Sequence, residues 1–183
     1  MKTSDEIIGL ARHAHSLMDR DELAWLIKIA QQAPDGPALE VGVYCGASLI
    51  AWSLAREGRG ASIGVDNWSY LDIANLKDKA AENIAWAGIA ARLIDSDSEH
   101  AAPLIADGSL AFCFIDGDHT HDYIVRDIEL WTPKVMRGGT IAFHDYARQK
   151  NNCWVKPAVD QWIAEAHWPE IGLVKTTHSF RKP

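Results

Sequence analysis

Asp116, Asp118, His119 and His121 follow the apolar run A-F-C-F-I and bring two carboxylates and two imidazoles into six positions. Packing an apolar strand does not call for such groups, so the cluster points to chemistry. Downstream, the run G-G-T-I-A-F ends on His144 and Asp145. Asp116 and His144 are 28 positions apart, which accommodates a helical crossover between parallel neighbouring strands, so the two strand ends are expected side by side. Carboxylates and imidazole from adjacent strand ends, with water completing the shell, suit a divalent cation such as magnesium or manganese. The cluster holds no thiolate, which speaks against structural zinc.

A second constellation precedes it. L-E-V-G-V-Y-C-G-A-S-L, from Leu39 to Leu49, reads as a short strand, a glycine turn and the start of a helix. Gly42 and Gly46 permit close backbone approach, and the N–H groups behind Ser48 turn the positive end of the helix toward a ligand. In a pyrophosphate-binding turn, negative charge near the first glycine is unfavourable, yet Glu40 stands there, so a cationic ligand suits this turn better. Asp66 lies about 20 residues beyond the glycines, where a ribose-binding carboxylate is expected; a solvated loop acid is the alternative. Asn67 and Trp68 follow it as candidate walls of a nucleoside pocket.

Alternating periods supply the elements that position these groups. Two amphipathic helices are expected first, over Thr3–Met18 and from Asp19 to the stop at Pro34-Asp35-Gly36-Pro37, each opening on a capping box, Thr3 with Glu6 and Asp19 with Glu22. Strands are then predicted at Ala38–Tyr44, Ala61–Val65, Arg92–Asp95, Leu110–Ile115, Thr140–Phe143 and Ile171–Thr177. The intervening helices are Ala47–Arg56, Tyr70–Ala87, Glu99–Ala106, His121–Val135 and Val155–Ala166. Such alternation implies an α/β fold, a Rossmann-like, doubly wound, mostly parallel sheet of six to seven strands with helices on both faces. At 183 residues and 48% hydrophobic the chain closes one core. The expected organisation is therefore a helical cap over residues 1–35 on a ligand-binding domain over 36–183, compact as a whole.

Charge and cysteine usage exclude several partners. A net charge of −7 offers no basic face for nucleic acid. No apolar run approaches membrane-spanning length, and three cysteines without a C-x-x-C pair fit a reducing cytoplasm.

Together, Glu40 to Ser48, Ile63 to Asp66, D-G-D-H at Asp116–His119 and G-G-T-I-A-F-H-D-Y at Gly138–Tyr146 resemble class I S-adenosylmethionine (SAM)-dependent methyltransferases of the small-molecule O-methyltransferase type, over roughly residues 36 to 180. Tyr44 stands where that family's first motif usually has glycine. The resemblance implies cofactor contacts at Glu40, Gly42, Tyr44, Gly46, Ser48, Asp66, Asn67, Trp68 and Asp116. It adds Asp97 and Ser98 beside the adenine, although either residue would equally serve as a helix N-cap. Metal-dependent members, the catechol-like and macrolide-sugar enzymes, imply Asp116, His144 and Asp145 as metal ligands, with His144 where an acid is more usual, and His119 as general base.

The corresponding chemistry is an in-line methyl transfer to a deprotonated, oriented nucleophile. A cation lowers the pKa of an acceptor hydroxyl, and an imidazole of ordinary pKa about 6.5 takes the proton near neutral pH. A metal-dependent hydrolase would use Asp116, His119, His144 and Asp145 without SAM, and a non-catalytic SAM-binding protein would keep only the first pocket. A nucleotide-dependent oxidoreductase is disfavoured by Glu40. The expected acceptor is a small molecule, recognised by the N-terminal helices and the segment Ala147–Lys156, and the N-terminal helices could also pair across a twofold in a homodimer.

Overall fold

The computed structural model describes residues 2–69, 74–148 and 153–183. Both capping boxes form as read, starting α1 (Ser4–His13) behind Thr3 and α2 (Arg20–Gln32) behind Asp19. The chain then runs through β1 (Ala38–Val41), α3 (Ala47–Arg56), β2 (Ser62–Asp66), α4 (Leu76–Trp86) and β3 (Ala91–Asp95). It continues through a single-turn α5 (Ser98–Ala101), β4 (Leu110–Ile115), α6 (His121–Trp131), β5 (Val135–Phe143), α7 (Val155–Ala166), β6 (Glu170–Val174) and β7 (Thr177–Arg181). The expected helix start at Tyr70 and part of the Ala147–Lys156 segment fall on residues 70–73 and 149–152, outside the described residues.

The seven strands form one sheet in the order β3-β2-β1-β4-β5-β7-β6. β1 to β5 are parallel, and β7 pairs antiparallel with both β5 and β6. Strand order reverses between β1 and β4, and the carboxyl ends on either side of that switch form the crevice where ligands bind in open α/β sheets. Alternation along the strands divides the interior. Phe112 and Phe114 of β4 join Ile7, Leu23, Leu26, Leu49 and Trp52 on the face covered by α1, α2 and α3. Leu110, Cys113 and Ile115 join Ile124, Ile128, Trp131 and Val159 on the opposite face.

The C-terminal end departs from the sequence reading. The single strand expected over Ile171–Thr177 is a hairpin, β6 and β7, turning at Lys175 and Thr176 with Lys175 at φ 53°. The turn holds neither glycine nor asparagine, and Thr177, His178 and Ser179 are buried although polar, so neither turn residues nor an apolar run announced the second strand. Helix α6 likewise ends at Trp131 rather than Val135, because Pro133 stops it and Val135 begins β5.

Candidate active site

Both constellations meet at the strand-order switch. The Asp116 N–H donates to Val41 O at 2.8 Å, and the His144 N–H to Ile115 O at 3.0 Å, so each of these two candidate site residues is the first beyond a strand end and is carried there by the ladder. Gly42 makes the approach of β1 to β4 feasible: at φ +86°, a Cβ on it would lie 2.0 Å from Asp116 O.

On the β1–β2 side, side chains bind backbone. Asp66 Oδ2 accepts from the N–H groups of Val43 (2.7 Å) and Tyr44 (2.8 Å), and Oδ1 from that of Trp68 (2.6 Å). The Trp68 indole N–H donates to Tyr44 O at 3.2 Å, and both residues have positive φ. Asp66 thus organises the glycine turn directly, with one lone pair of Oδ1 left over for a further donor. Glu40 is wholly buried on the α3 face, its oxygens accepting from Ser48 Oγ (2.7 Å) and Trp52 Nε1 (2.6 Å). Burial pushes its carboxyl well above the usual range, with these bonds offsetting part of the rise. Its position is beneath the turn, not in open space. Gly46 caps α3 in the left-handed region, and exposed Asn67 closes a local turn onto Ser69. Asp97 N-caps α5, accepting from the His100 N–H at 3.0 Å, whereas Ser98 Oγ accepts from Trp131 Nε1 at 3.0 Å.

On the β4–β5 side, side chains face one another. His144 Nδ1 is 3.0 Å from Asp116 Oδ1 and 3.8 Å from Asp145 Oδ2. His119 Nε2 is 2.9 Å from Asp145 Oδ2 and 3.7 Å from Asp116 Oδ1. Arg148, three residues on, donates to Asp145 at 2.5 Å. These charges govern titration. Burial alone would depress both imidazoles, but Asp116 and Asp145 outweigh it for His119, pushed up to about 9, and together with Glu22 for His144, pushed up to about 11. Burial alone would raise the carboxyls, yet the imidazoles outweigh it, holding Asp116 below its usual value and, with help from Arg148, Asp145 at about 2. The ordinary imidazole pKa expected for His119 is therefore corrected by its two carboxylate neighbours.

Asp116, His144 and Asp145 each offer a ligand atom within 4.8 Å of the others. His119 Nε2 borders this group through Asp145 Oδ2 at 2.9 Å, whereas His144 Nε2 is turned away from it toward Glu22. Two carboxylates and an imidazole converging within that distance are a donor set that fits a divalent cation. Asp118 instead accepts from the Thr120 N–H at the start of α6, and His121 pairs with Asp122 on the surface.

Two contributors escaped sequence reading. Glu22 was legible only as a cap, which uses its Oε2 on the Asp19 N–H; Oε1 reaches across the fold to Thr176 and His144. No local signal announces a contact over 154 positions. Buried Asp127 of α6 lies behind Gly117, its Oδ2 3.1 Å from where a Cβ on that glycine would stand.

Residues 39–146 match the family model described as "Methyltransferase domain". The chain belongs to this methyltransferase family. Solved structures of similar fold include the O-methyltransferase NovP, with TM-score 0.72 and 17% identity over 92% of this chain and 82% of that one. TomG of Streptomyces achromogenes, an O-methyltransferase in complex with SAM, gives 0.67 and 15% over 98% and 89%. The O-methyltransferase from Bacillus cereus, in complex with SAH, gives 0.68 and 16% over 100% and 92%. Among curated proteins, the uncharacterized protein R132 of Acanthamoeba polyphaga mimivirus is 38% identical over 52 residues, which is 28% of this chain and only 24% of that protein. The methyltransferase assignment agrees with the resemblance read from the first motif, and the strand order supplies the doubly wound sheet expected of it.

Proposed function

We propose that this methyltransferase moves the methyl group of SAM to an oxygen of a small hydroxylated acceptor, with Asp116, His144 and Asp145 holding a divalent cation, magnesium by preference, and His119 receiving the hydroxyl proton. The observation that carries the reading is the packing of these four residues against one another just beyond the ends of β4 and β5, across from the glycine turn after β1. That NovP, TomG and the Bacillus cereus enzyme are O-methyltransferases supports the oxygen acceptor, and the SAM and SAH in the last two support the cofactor.

In this reading the cofactor lies along Gly42, Tyr44, Gly46 and Ser48, with Glu40 bracing the turn from beneath. Asp66 offers its remaining Oδ1 lone pair to the ribose, Asn67 and Trp68 form a wall, Asp97 and Ser98 flank the base, and Asp116 stands between cofactor and acceptor. The bound cation supplies Lewis acidity that lowers the acceptor pKa. Asp116 and Asp145, once engaged with a cation, hold the His119 proton less strongly, which returns that imidazole toward proton acceptance. Trp154, exposed and edge-on to His121 at 5.4 Å, is a candidate surface for a flat acceptor. Cys45, Cys113 and Cys153 are free, in keeping with a cytoplasmic setting, and no helix among the described residues is long and apolar enough to cross a membrane.

Calorimetric titration with SAM, in magnesium and in EDTA beside an NAD control, tests the reading. SAM is expected to bind in both and NAD in neither; a protein that binds no SAM overturns it.

A further inference from the structure

His144 has two ring nitrogens with different surroundings. Nδ1 faces the carboxylates of Asp116 and Asp145, while Nε2, buried on the far side of the ring, looks at Glu22 Oε1 from 3.5 Å. Glu22 is itself held from three directions. Its Oε2 closes the capping box of α2 on the Asp19 N–H at 3.2 Å, and its Oε1 accepts from the Thr176 N–H at 3.1 Å and the Thr176 hydroxyl at 2.5 Å. Both side chains are buried, at 7% exposure for Glu22 and 10% for His144, so water does not substitute for this carboxylate. An acid buried beyond the needs of a cap requires a second reason to be there.

We infer that Glu22 is a positioning residue for the metal centre: it holds the proton of His144 on Nε2 and thereby presents Nδ1, with its lone pair, to a cation shared with Asp116 and Asp145. The inference rests on the reading of these three residues as cation ligands. A ligating imidazole whose other nitrogen donates to a carboxylate is fixed in tautomer and ring orientation, and removing such a partner costs 10- to 100-fold in metal affinity. The carboxylate comes from α2 and is braced by the turn of the C-terminal hairpin, so the two chain regions outside the β1–β5 core both act on the centre. The hydrogen bonding also accounts for the polar character of a turn that lacks the usual turn residues.

Two readouts on the full chain test this. Manganese titration, followed by the loss of free-ion paramagnetic resonance signal, is expected to show binding 10- to 100-fold weaker in Glu22→Ala than in the wild type, and only about 3- to 10-fold weaker in Glu22→Gln, which keeps a carbonyl for Thr176 and His144. Thr176→Val removes the hydroxyl brace without touching the carboxylate and is expected to lower the melting temperature while leaving manganese affinity within about threefold, which separates positioning from plain stability. The second readout needs no metal. In 15N-labelled wild type the His144 Nε2 proton is expected as a slowly exchanging signal, lost in Glu22→Ala, or weakened in Glu22→Gln should the alanine variant not fold. Wild-type affinity in folded Glu22 variants, or an Nε2 proton indifferent to the substitution, overturns the inference. If the wild type binds no manganese, the cation reading fails instead, and the Nε2 signal alone then decides whether Glu22 orients the ring.

Discussion

The two halves of the crevice are built on opposite principles. Around the glycine turn after β1, charged side chains are satisfied by their own surroundings: Asp66 gathers three backbone N–H groups, and Glu40 is tied to Ser48 and Trp52. At the ends of β4 and β5, charged side chains are satisfied mainly by each other, His119 Nε2 against Asp145 at 2.9 Å and His144 Nδ1 against Asp116 at 3.0 Å. The first half is therefore complete as folded and presents a preformed shape. The second is a balance of carboxylates and imidazoles, in which a change of charge on one member is felt by the others. Substitution should accordingly act on shape and stability in one half and on turnover in the other.

The largest effect is expected where the halves touch. Gly42→Ala would place a Cβ 2.0 Å from Asp116 O at φ +86°, so the strand ends must separate, with a loss of about 4 kcal/mol or more in stability and of both ligand sites together. Denaturant unfolding and SAM titration check it; near-wild-type stability would show that the contact between the halves is slack.

Next in size, His119→Ala should lower turnover about 100- to 10,000-fold while leaving SAM affinity unchanged. Retained turnover, measured by product formation at saturating SAM, would remove His119 from the proton path. The converse substitution lies in the other half: Asp66→Ala leaves three N–H groups without their acceptor and is expected to cost about 3 kcal/mol in stability and to weaken SAM binding, with turnover at saturating SAM little changed. A variant of Asp66 that lost turnover but kept SAM affinity would erase the proposed division between the halves.

How much of this was legible in the sequence follows the same division. Asp116 and His144 were expected side by side because parallel neighbours of equal phase end together, and their side chains lie 3.0 Å apart. Helices α3 and α7 and strand β4 start and stop where their residues change character, so their bounds were readable. Asp66 showed its place in the chain but not its partners, since three bonds to backbone depend on how the turn folds. Strand β7 was hidden because Thr177, His178 and Ser179 are buried by neighbouring strands and not by their own apolarity. Glu22 was hidden for a related reason: one oxygen meets a local need and so conceals the other's distant one.

The smallest predicted effect concerns Asp127, buried behind Gly117 where the halves adjoin. Burial raises its carboxyl from the usual 3.8 to about 6, with Ser98 opposing the rise and Asp118 adding to it. A carboxyl raised in the folded state stabilises the fold fully below about pH 4, and its contribution is lost as pH climbs toward 6, because the unfolded chain ionises first. Above pH 6 ionisation has removed roughly 3 kcal/mol of the stability present at pH 4, at about 1.4 kcal/mol per pKa unit. Asp127→Asn keeps a hydrogen-bonding partner for Ser98 and cannot ionise, so it should melt above the wild type at pH 8 and near it at pH 4, by calorimetric scans of both proteins. A gap independent of pH would mean that Asp127 is already neutralised or solvated, and that the crevice floor does not exclude water as its burial implies.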